Sequence, residues 1–191
     1  PAETIPFPMF RGEAGDNNHF DLNVYDTVNH IRNRQDWLAE YLTENEIDTC
    51  QLVNSITLQT PIGEAVNLLR RELALDPRWA FILAQTDIAV GLLTEKLEQA
   101  GFFVAYNGVV GNNTQRALKV SECRGFALVN EVAPYIFVNS ADSKSVQLFT
   151  LVHEAAHIML GVSAGHAGEE ITAHDAYENY CDRFAAEFLV P

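Results

Sequence analysis

One stretch decides the fold of this chain, residues 149–160, which read Phe149-Thr150-Leu151-Val152-His153-Glu154-Ala155-Ala156-His157-Ile158-Met159-Leu160. Two histidines stand four positions apart, and a glutamate directly follows the first. Positions i and i+4 of an α-helix share one face about 5–6 Å apart, so both imidazoles can bind one zinc ion. The glutamate can then act as a general base on a water bound to that metal.

The simpler interpretation of the motif is a pair of core histidines that bracket a glutamate by chance. Chains of this length and composition contain the pattern in roughly one to two cases in a hundred. The flanking residues are apolar, and a charged glutamate is rarely buried without a partner or a function. The sequence therefore favours a zinc site on this helix.

A catalytic zinc site needs a third protein ligand and one open position for water. A third histidine six residues after the second is absent, because Ser163 stands there. The acidic, histidine and cysteine side chains further along are the candidates: His166, Glu169, Glu170, His174, Asp175, Glu178, Cys181 and Asp182.

The pattern of the last predicted helix favours two of these candidates, because Glu178 and Asp182 are four residues apart on one of its faces. We predict that Glu178 is the third ligand and that Asp182 accepts the second ring N–H of a ligand histidine. The simpler alternatives are a solvated helix face for Glu178 and a surface salt bridge for Asp182. Cys181 fits a buried thiol better, since zinc sites with thiolate ligands are usually structural and closed.

The pattern around the motif predicts an α+β fold that is mainly helical, with a small three-stranded sheet before the motif helix. Residues 1–20 are predicted as an extended arm, and 21–191 as a single domain that is helical over 21–100 and holds the sheet within 101–140. Helices are predicted over 21–44 (with a break near Asn33 as an alternative), 61–73, 77–99, 143–160 and 173–189. Strands are predicted over 102–106, 125–130 and 135–139, and residues 107–121 are predicted as a flexible connection. Trp37, Trp79 and Phe81 are interpreted as core residues.

Composition limits the partners of this chain. The 191 residues include 12 basic and 26 acidic ones, a net charge of −14. This charge argues against binding nucleic acid through its phosphates and against docking on anionic lipid. The even scatter of the acids favours a role in solubility, although an acidic surface also suits a basic protein partner.

Cysteine usage and hydropathy bear on the compartment. The three cysteines show no close spacing, which fits a reducing, cytoplasmic environment. The sequence shows no signal peptide and no stretch apolar enough for a membrane span.

The motif helix, residues 149–160, resembles the active-site helix of the ImmA/IrrE family of zinc metallopeptidases. The run 178–191 is similar to the family's second signature, a Glu, then Asn or Asp four residues on, then Phe-Ala and a closing Leu-x-Pro. Gly125-Phe126-Ala127 and Ile136-Phe137-Val138-Asn139 look like the family's strands before the metal helix. The resemblance covers roughly Ile62 to Pro191.

The resemblance implies a gluzincin-like, zincin-like domain in which His153, His157 and Glu178 hold Zn²⁺ and Glu154 is the catalytic base. It also implies cleavage of a protein partner, often a DNA-binding repressor or an antitoxin. Family members often carry a helix-turn-helix domain and continue beyond Leu-x-Pro. The sequence shows no convincing helix-turn-helix, and its start at Pro1 and stop at Pro191 suggest a piece of a longer protein.

Three further expectations concern the reaction. His166, His174 and Tyr177 are candidates for stabilising the oxyanion or binding substrate. The segment Tyr135–Asn139 is one candidate for a strand edge that holds the substrate as an added strand. The alternative to an enzyme is a zinc-containing regulatory or toxin–antitoxin module that captures a partner without cleaving it.

Overall fold

The structure, a computed structural model, describes residues 22–47, 49–83, 85–162 and 171–190, with side chains except at residues 81, 82 and 171–175. The elements in chain order are α1 (Leu22–Glu44), α2 (Ile62–Glu72), α3 (Trp79–Ile82), α4 (Thr86–Gln99), β1 (Phe103–Asn107), β2 (Val109–Val110), β3 (Asn113–Ala117), β4 (Gly125–Leu128), β5 (Tyr135–Asn139), α5 (Lys144–Leu160) and α6 (Ile171–Leu189). The α+β prediction is confirmed. The predicted arm over 1–20 lies outside the described residues.

The three predicted strands form one mixed sheet, as expected, in the order β1-β5-β4. The central strand β5 pairs in parallel with β1 and antiparallel with β4. The expectation that Tyr135–Asn139 forms a sheet edge is therefore wrong, because β5 has a neighbour on both sides and all five of its residues are buried. Within the described part of the chain, β4 is an edge strand next to the motif helix.

Alternating side chains of the sheet enter two hydrophobic clusters on its two faces. Ile136 and Val138 belong to the larger cluster, which also contains residues of α2, α4, α5 and α6. Tyr135 and Phe137 belong to the smaller cluster, which contains residues of α1. The sheet therefore separates α1 from the helices that carry the motif.

The segment predicted as a flexible connection, 107–121, contains the antiparallel pair β2–β3 instead. The Asn107 side chain anchors this hairpin, because its Nδ2 donates to Gly111 O at 2.6 Å and its Oδ1 accepts from Val109 N at 3.1 Å. Gly111 adopts φ +56°, a left-handed conformation that glycine tolerates best. Residues of β3 are mostly polar and exposed, so the sequence lacks the apolar alternation that signals a strand.

The single helix predicted over 77–99 is also wrong, because the chain forms α3 and α4 with extended backbone at Leu83 and Gln85 between them. The buried residues of α4 form one stripe, which packs in the larger cluster: Ala89, Val90, Leu93 and Leu97. The other long predicted helix, α1, runs through Asn33 without a break. Trp79 is a core residue as predicted, but Trp37 is 63% exposed, and the Phe81 side chain is not described.

The motif helix α5 is fixed at both ends. Ser143 caps its start, since its hydroxyl accepts from Val146 N. At the other end Gly161 adopts φ +69°. The backbone N–H groups of Asn54 and Ile56 donate to the carbonyls of Ile158 and Met159, both at 3.1 Å. These bonds satisfy carbonyls that a helix end leaves without partners.

The last helix, α6, is held by α2. Arg70 donates from Nη2 to the carbonyls of Glu187 and Phe188 at 3.0 and 2.9 Å, and its guanidinium lies 5.6 Å from the Phe188 ring centroid. Near the middle of α6, the Tyr180 hydroxyl donates to Thr60 O at 2.9 Å. A cation at a helix C-terminus is favourable, so α6 has a fixed position relative to α2.

Gly125 allows β4 to approach α5 closely, and this generates a stability prediction. A Cβ at this position would lie 2.7 Å from Phe137 O and would also collide with Thr150 Cγ2. Gly125→Ala should therefore lower the free energy of unfolding by about 1–3 kcal/mol, the usual cost of overpacking. Chemical denaturation of the purified protein measures the change.

Gly91→Ala is the matched control, because Gly91 lies inside α4 and a Cβ there meets nothing within 4 Å. This substitution should raise stability by roughly 0.5–1 kcal/mol, since alanine is the better helix former. Equal effects of the two substitutions would contradict a steric role for Gly125.

Candidate metal centre

The three polar residues of the motif are buried in the middle of α5. His153, Glu154 and His157 each expose 1% of their surface. The helical spacing brings the two imidazoles together as predicted, with 3.1 Å between their Nε2 atoms. Burying such groups without partners is costly, so the surroundings must supply them.

α6 supplies the third group of the predicted set. Glu178 Oε2 lies 3.3 Å from His153 Nε2, and Oε1 lies 3.0 Å from His157 Nε2. One ligand atom from each of the three residues can be chosen so that all lie within 4.8 Å of one another. Among the described residues, this is the group of histidine, cysteine and acidic side chains whose geometry could hold a metal ion.

The separations between these atoms suit a zinc ion. Zinc–nitrogen bonds of about 2.0–2.1 Å at tetrahedral angles place two donor atoms about 3.3 Å apart. The closest pairs here are 3.0, 3.1 and 3.3 Å apart. Two imidazoles and one carboxylate leave a fourth tetrahedral position for water or substrate. The residues present therefore fit the metal that the sequence motif predicts.

Asp182 lies where the sequence analysis expected a supporting carboxylate. Its Oδ1 is 3.0 Å from His153 Nδ1, the ring nitrogen on the far side from Glu178. A carboxylate on that nitrogen keeps the proton there and leaves Nε2 as a lone-pair donor. The Asp182 side chain is 55% exposed, so solvent weakens this interaction more than those inside the site.

The local charge of the site attracts a cation. Burial by itself lowers the pKa of His153, but the carboxylates of Asp182 and Glu178, which accept hydrogen bonds from its ring, and the charge of Glu154 raise it to about 9. Burial by itself raises the pKa of Glu178, but its contacts with His153 and His157 hold that pKa far below the usual range. Three carboxylates around two imidazoles thus favour positive charge at the point where the donor atoms converge.

Glu154 lies between the metal-binding face of α5 and strand β4. Its Cγ is 3.7 Å from the position that a Cβ of Gly125 would occupy. The carboxylate is on the helix next to His153 but does not belong to the group of converging ligand atoms. This placement suits a proton-accepting group that acts beside a metal without binding it.

Cys181, an alternative third ligand, is not part of that group. Its thiol is completely buried in the larger hydrophobic cluster. Burial, and then the charges of Glu178, Glu154 and Asp182, raise the pKa of Cys181 well above its usual value. A protonated thiol is a poor zinc ligand, so the geometry and charge favour Glu178.

The remaining predicted site residues are only partly located. Tyr177 is half-buried against the larger cluster, one position before Glu178 on α6. His174 lies on α6, but its side chain is not described, and His166 lies outside the described residues. The same holds for Glu169 and Glu170, while the Asp175 side chain is also not described.

The contribution of β4 to the site was not predicted from the sequence. A glycine inside a strand is a signal of close backbone approach, and Gly125 provides it. The glycine signal could not be connected to Glu154 from the sequence, because the sequence does not show that β4 is an outer strand. The neighbour relation depends on strand order, which arises from contacts distant in sequence.

Comparison with known proteins relates the segment that contains these side chains to a family of peptidases. Residues 110–191 match the family model of the IrrE N-terminal-like domain, which is classed among the peptidases. The match spans the segment from the β2–β3 hairpin to the end of α6, and so it includes both α5 and Glu178. Neither a curated protein nor a solved structure matches the chain.

A buried two-histidine, one-glutamate group on an α+β fold defines a candidate site of the metallopeptidase class. Residues 110–191 match the model of the IrrE N-terminal-like family, and this match supports the resemblance to ImmA/IrrE proteins over that segment. The match supports a metallopeptidase role. No described helix has both the length and the apolarity to cross a bilayer.

The third-ligand assignment is tested by comparing Glu178→Ala with Cys181→Ser. Glu178→Ala should weaken zinc binding by more than about a hundredfold, because loss of an outer partner alone costs about 10–100-fold. Cys181→Ser should leave the zinc content near that of the parent. Elemental analysis and competition with a chromogenic chelator give the two values, and the reverse pattern would move the ligand to Cys181.

A second prediction concerns Asp182. Asp182→Asn should weaken zinc binding by about tenfold, because a neutral amide orients and polarises the His153 ring less than a carboxylate. Asp87→Asn is the matched control, since it removes the same charge from an exposed position on α4. Equal zinc affinity of the two variants would show that Asp182 does not support the site.

Proposed function

We propose that this protein is a zinc-dependent endopeptidase that hydrolyses a peptide bond in a protein partner, a repressor or antitoxin of a mobile element or stress system. One observation carries the proposal: His153, His157 and Glu178 converge on one point, with Glu154 buried beside them. The family match of the segment that contains all four residues supports the same chemistry.

In this proposal each group has a separate task. His153, His157 and Glu178 would hold the zinc ion, and Asp182 would fix the His153 ring through Nδ1. When bound, the ion supplies Lewis acidity that polarises the scissile carbonyl and lowers the pKa of water. The chain's own residues orient these groups and exclude bulk solvent.

Glu154 would move the proton. Its carboxylate accepts a proton from the attacking water and then delivers that proton to the nitrogen of the leaving amine. The site is nearly sealed from solvent at Glu154. A carboxylate in such surroundings transfers a proton to a nearby group rather than to bulk water.

The outer edge of β4, which has no neighbouring strand among the described residues, offers a place for the substrate backbone. Asn139 N donates to Arg124 O at 2.8 Å, which fixes the hydrogen-bonding phase of the β4–β5 ladder. Because that phase alternates, Gly125 and Ala127 direct their backbone N–H and C=O groups away from β5. An extended peptide added to this edge would lie beside Glu154. The net charge of −14 favours a basic segment.

The decisive substitution is Glu154→Gln. It should retain zinc, because Glu154 is not among the converging ligand atoms, and it should reduce cleavage by a thousandfold or more, on the order expected when a general base and its electrostatic support are both lost. Candidate repressors and antitoxins are incubated with each protein, with and without chelator, and fragments are identified by mass spectrometry.

The control is the zinc content of the same preparation. Full zinc with no cleavage by the parent protein would contradict the peptidase proposal. Persistence of partner regulation in Glu154→Gln would favour the alternative, a zinc-containing binding module without peptidase activity.

A further inference from the structure

A cleft lies between α1, the β2–β3 hairpin and the face of the sheet opposite to the metal centre. Its volume is about 190 Å³. Ile31, Ala105 and Phe137 line it, and these residues belong to or pack against the smaller hydrophobic cluster, which does not include the motif residues. The cleft is therefore separate from the proposed catalytic site.

Polar contacts tie α1 to the other walls of the cleft. Toward the start of α1, Arg116 of β3 donates to Asn23 at 3.0 Å and to Asp26 at 2.6 Å. Further along α1, the Gln35 amide donates to the carbonyls of Leu128 and Ala133, both at 2.8 Å. These contacts lie on both sides of the cleft along α1, so the helix is held in place over it. Binding sites for small molecules are usually preformed in this way.

The lining of the cleft includes a positively charged side chain, although the protein as a whole is acidic. His30 and Arg34 of α1 stand at the cleft, and none of the described residues that line it is an aspartate or a glutamate. Within the described residues, Arg34 pairs with no carboxylate, whereas Asp26, about two turns earlier on α1, is already paired with Arg116. A guanidinium without a protein partner can take both oxygens of a carboxylate or phosphate.

The volume limits the occupant. A dry cavity of about 150 Å³ accommodates benzene, so about 190 Å³ accommodates one ring with a small head group. The walls formed by Ile31, Ala105, Val109 and Phe137 suit an apolar body. Arg34, His30 and Asn112 suit a head group that accepts hydrogen bonds.

We propose that this cleft binds a small amphipathic anion, which consists of an apolar ring and a carboxylate or phosphate. The whole molecule has about ten non-hydrogen atoms. Arg34 binds the acidic head, and the ring lies against Ile31, Ala105 and Phe137. The site is a ligand site on the opposite side of the sheet from the zinc ligands, and it does not depend on the peptidase proposal.

The test is an NMR titration of the ¹⁵N-labelled protein with benzoate, phenyl phosphate and neutral benzyl alcohol. Either anion should bind with a dissociation constant of about 1 mM, ordinary for a ligand of this size. The shifted amides should cluster at residues 27–34 and 105–112. Benzyl alcohol should bind at least tenfold more weakly, and the tighter anion identifies the preferred head group.

Arg34→Gln should weaken binding of the anions by at least tenfold, while Arg71→Gln, an exposed arginine of α2 that pairs with Glu72, should leave it unchanged. Thermal melting of both variants checks that they fold as the parent does. Three results would overturn the proposal: no shift at 20 mM of either anion (about twenty times the expected constant), shifts confined to α5 and α6, or equal binding by Arg34→Gln.

Discussion

The structure depends on the burial of three polar side chains, His153, Glu154 and His157, in the middle of α5. Each of them is almost completely removed from solvent. A helix with this composition is unfavourable in an apolar core unless other elements compensate the lost hydration. The compensation comes from Glu178 and Asp182 of α6 and from the positive charge that the group attracts. The packing of α5 against α6 is therefore inseparable from the chemistry of the site.

The rest of the molecule fixes these two helices. Backbone N–H groups of the segment before α2 satisfy the carbonyls at the end of α5, and Arg70 of α2 satisfies those at the end of α6. Gly125 lets β4 lie directly against α5, which brings a strand edge beside Glu154. A metal site of this kind needs its ligands held to within a fraction of an ångström. Rigid helices with fixed ends meet that requirement better than loops would.

Sequence-based prediction succeeded where the signal was local and periodic. The i, i+4 spacing of His153 and His157 specified one helix face. The composition of the three apolar strands was enough to predict them. Prediction failed where the signal was weak or ambiguous. The polar strand β3 shows no apolar alternation, and the break between α3 and α4 has no proline or glycine to mark it. Trp37 has the spacing of a core residue, yet it is exposed and its ring stacks on Tyr41 of the same helix.

The sequence by itself determined the chemistry: two imidazoles and a carboxylate at fixed helical spacing, and a second pair of carboxylates, Glu178 and Asp182, at the same spacing. Only the tertiary structure decided that Glu178 and not Cys181 joins the histidines, that Asp182 reaches the far side of the His153 ring, and that β4 and not β5 is an outer strand of the described sheet. The physical reason is the range of the interactions. Helical spacing is set by bonds between neighbours in the chain, whereas helix docking and strand order arise from burial of surfaces that are distant in sequence.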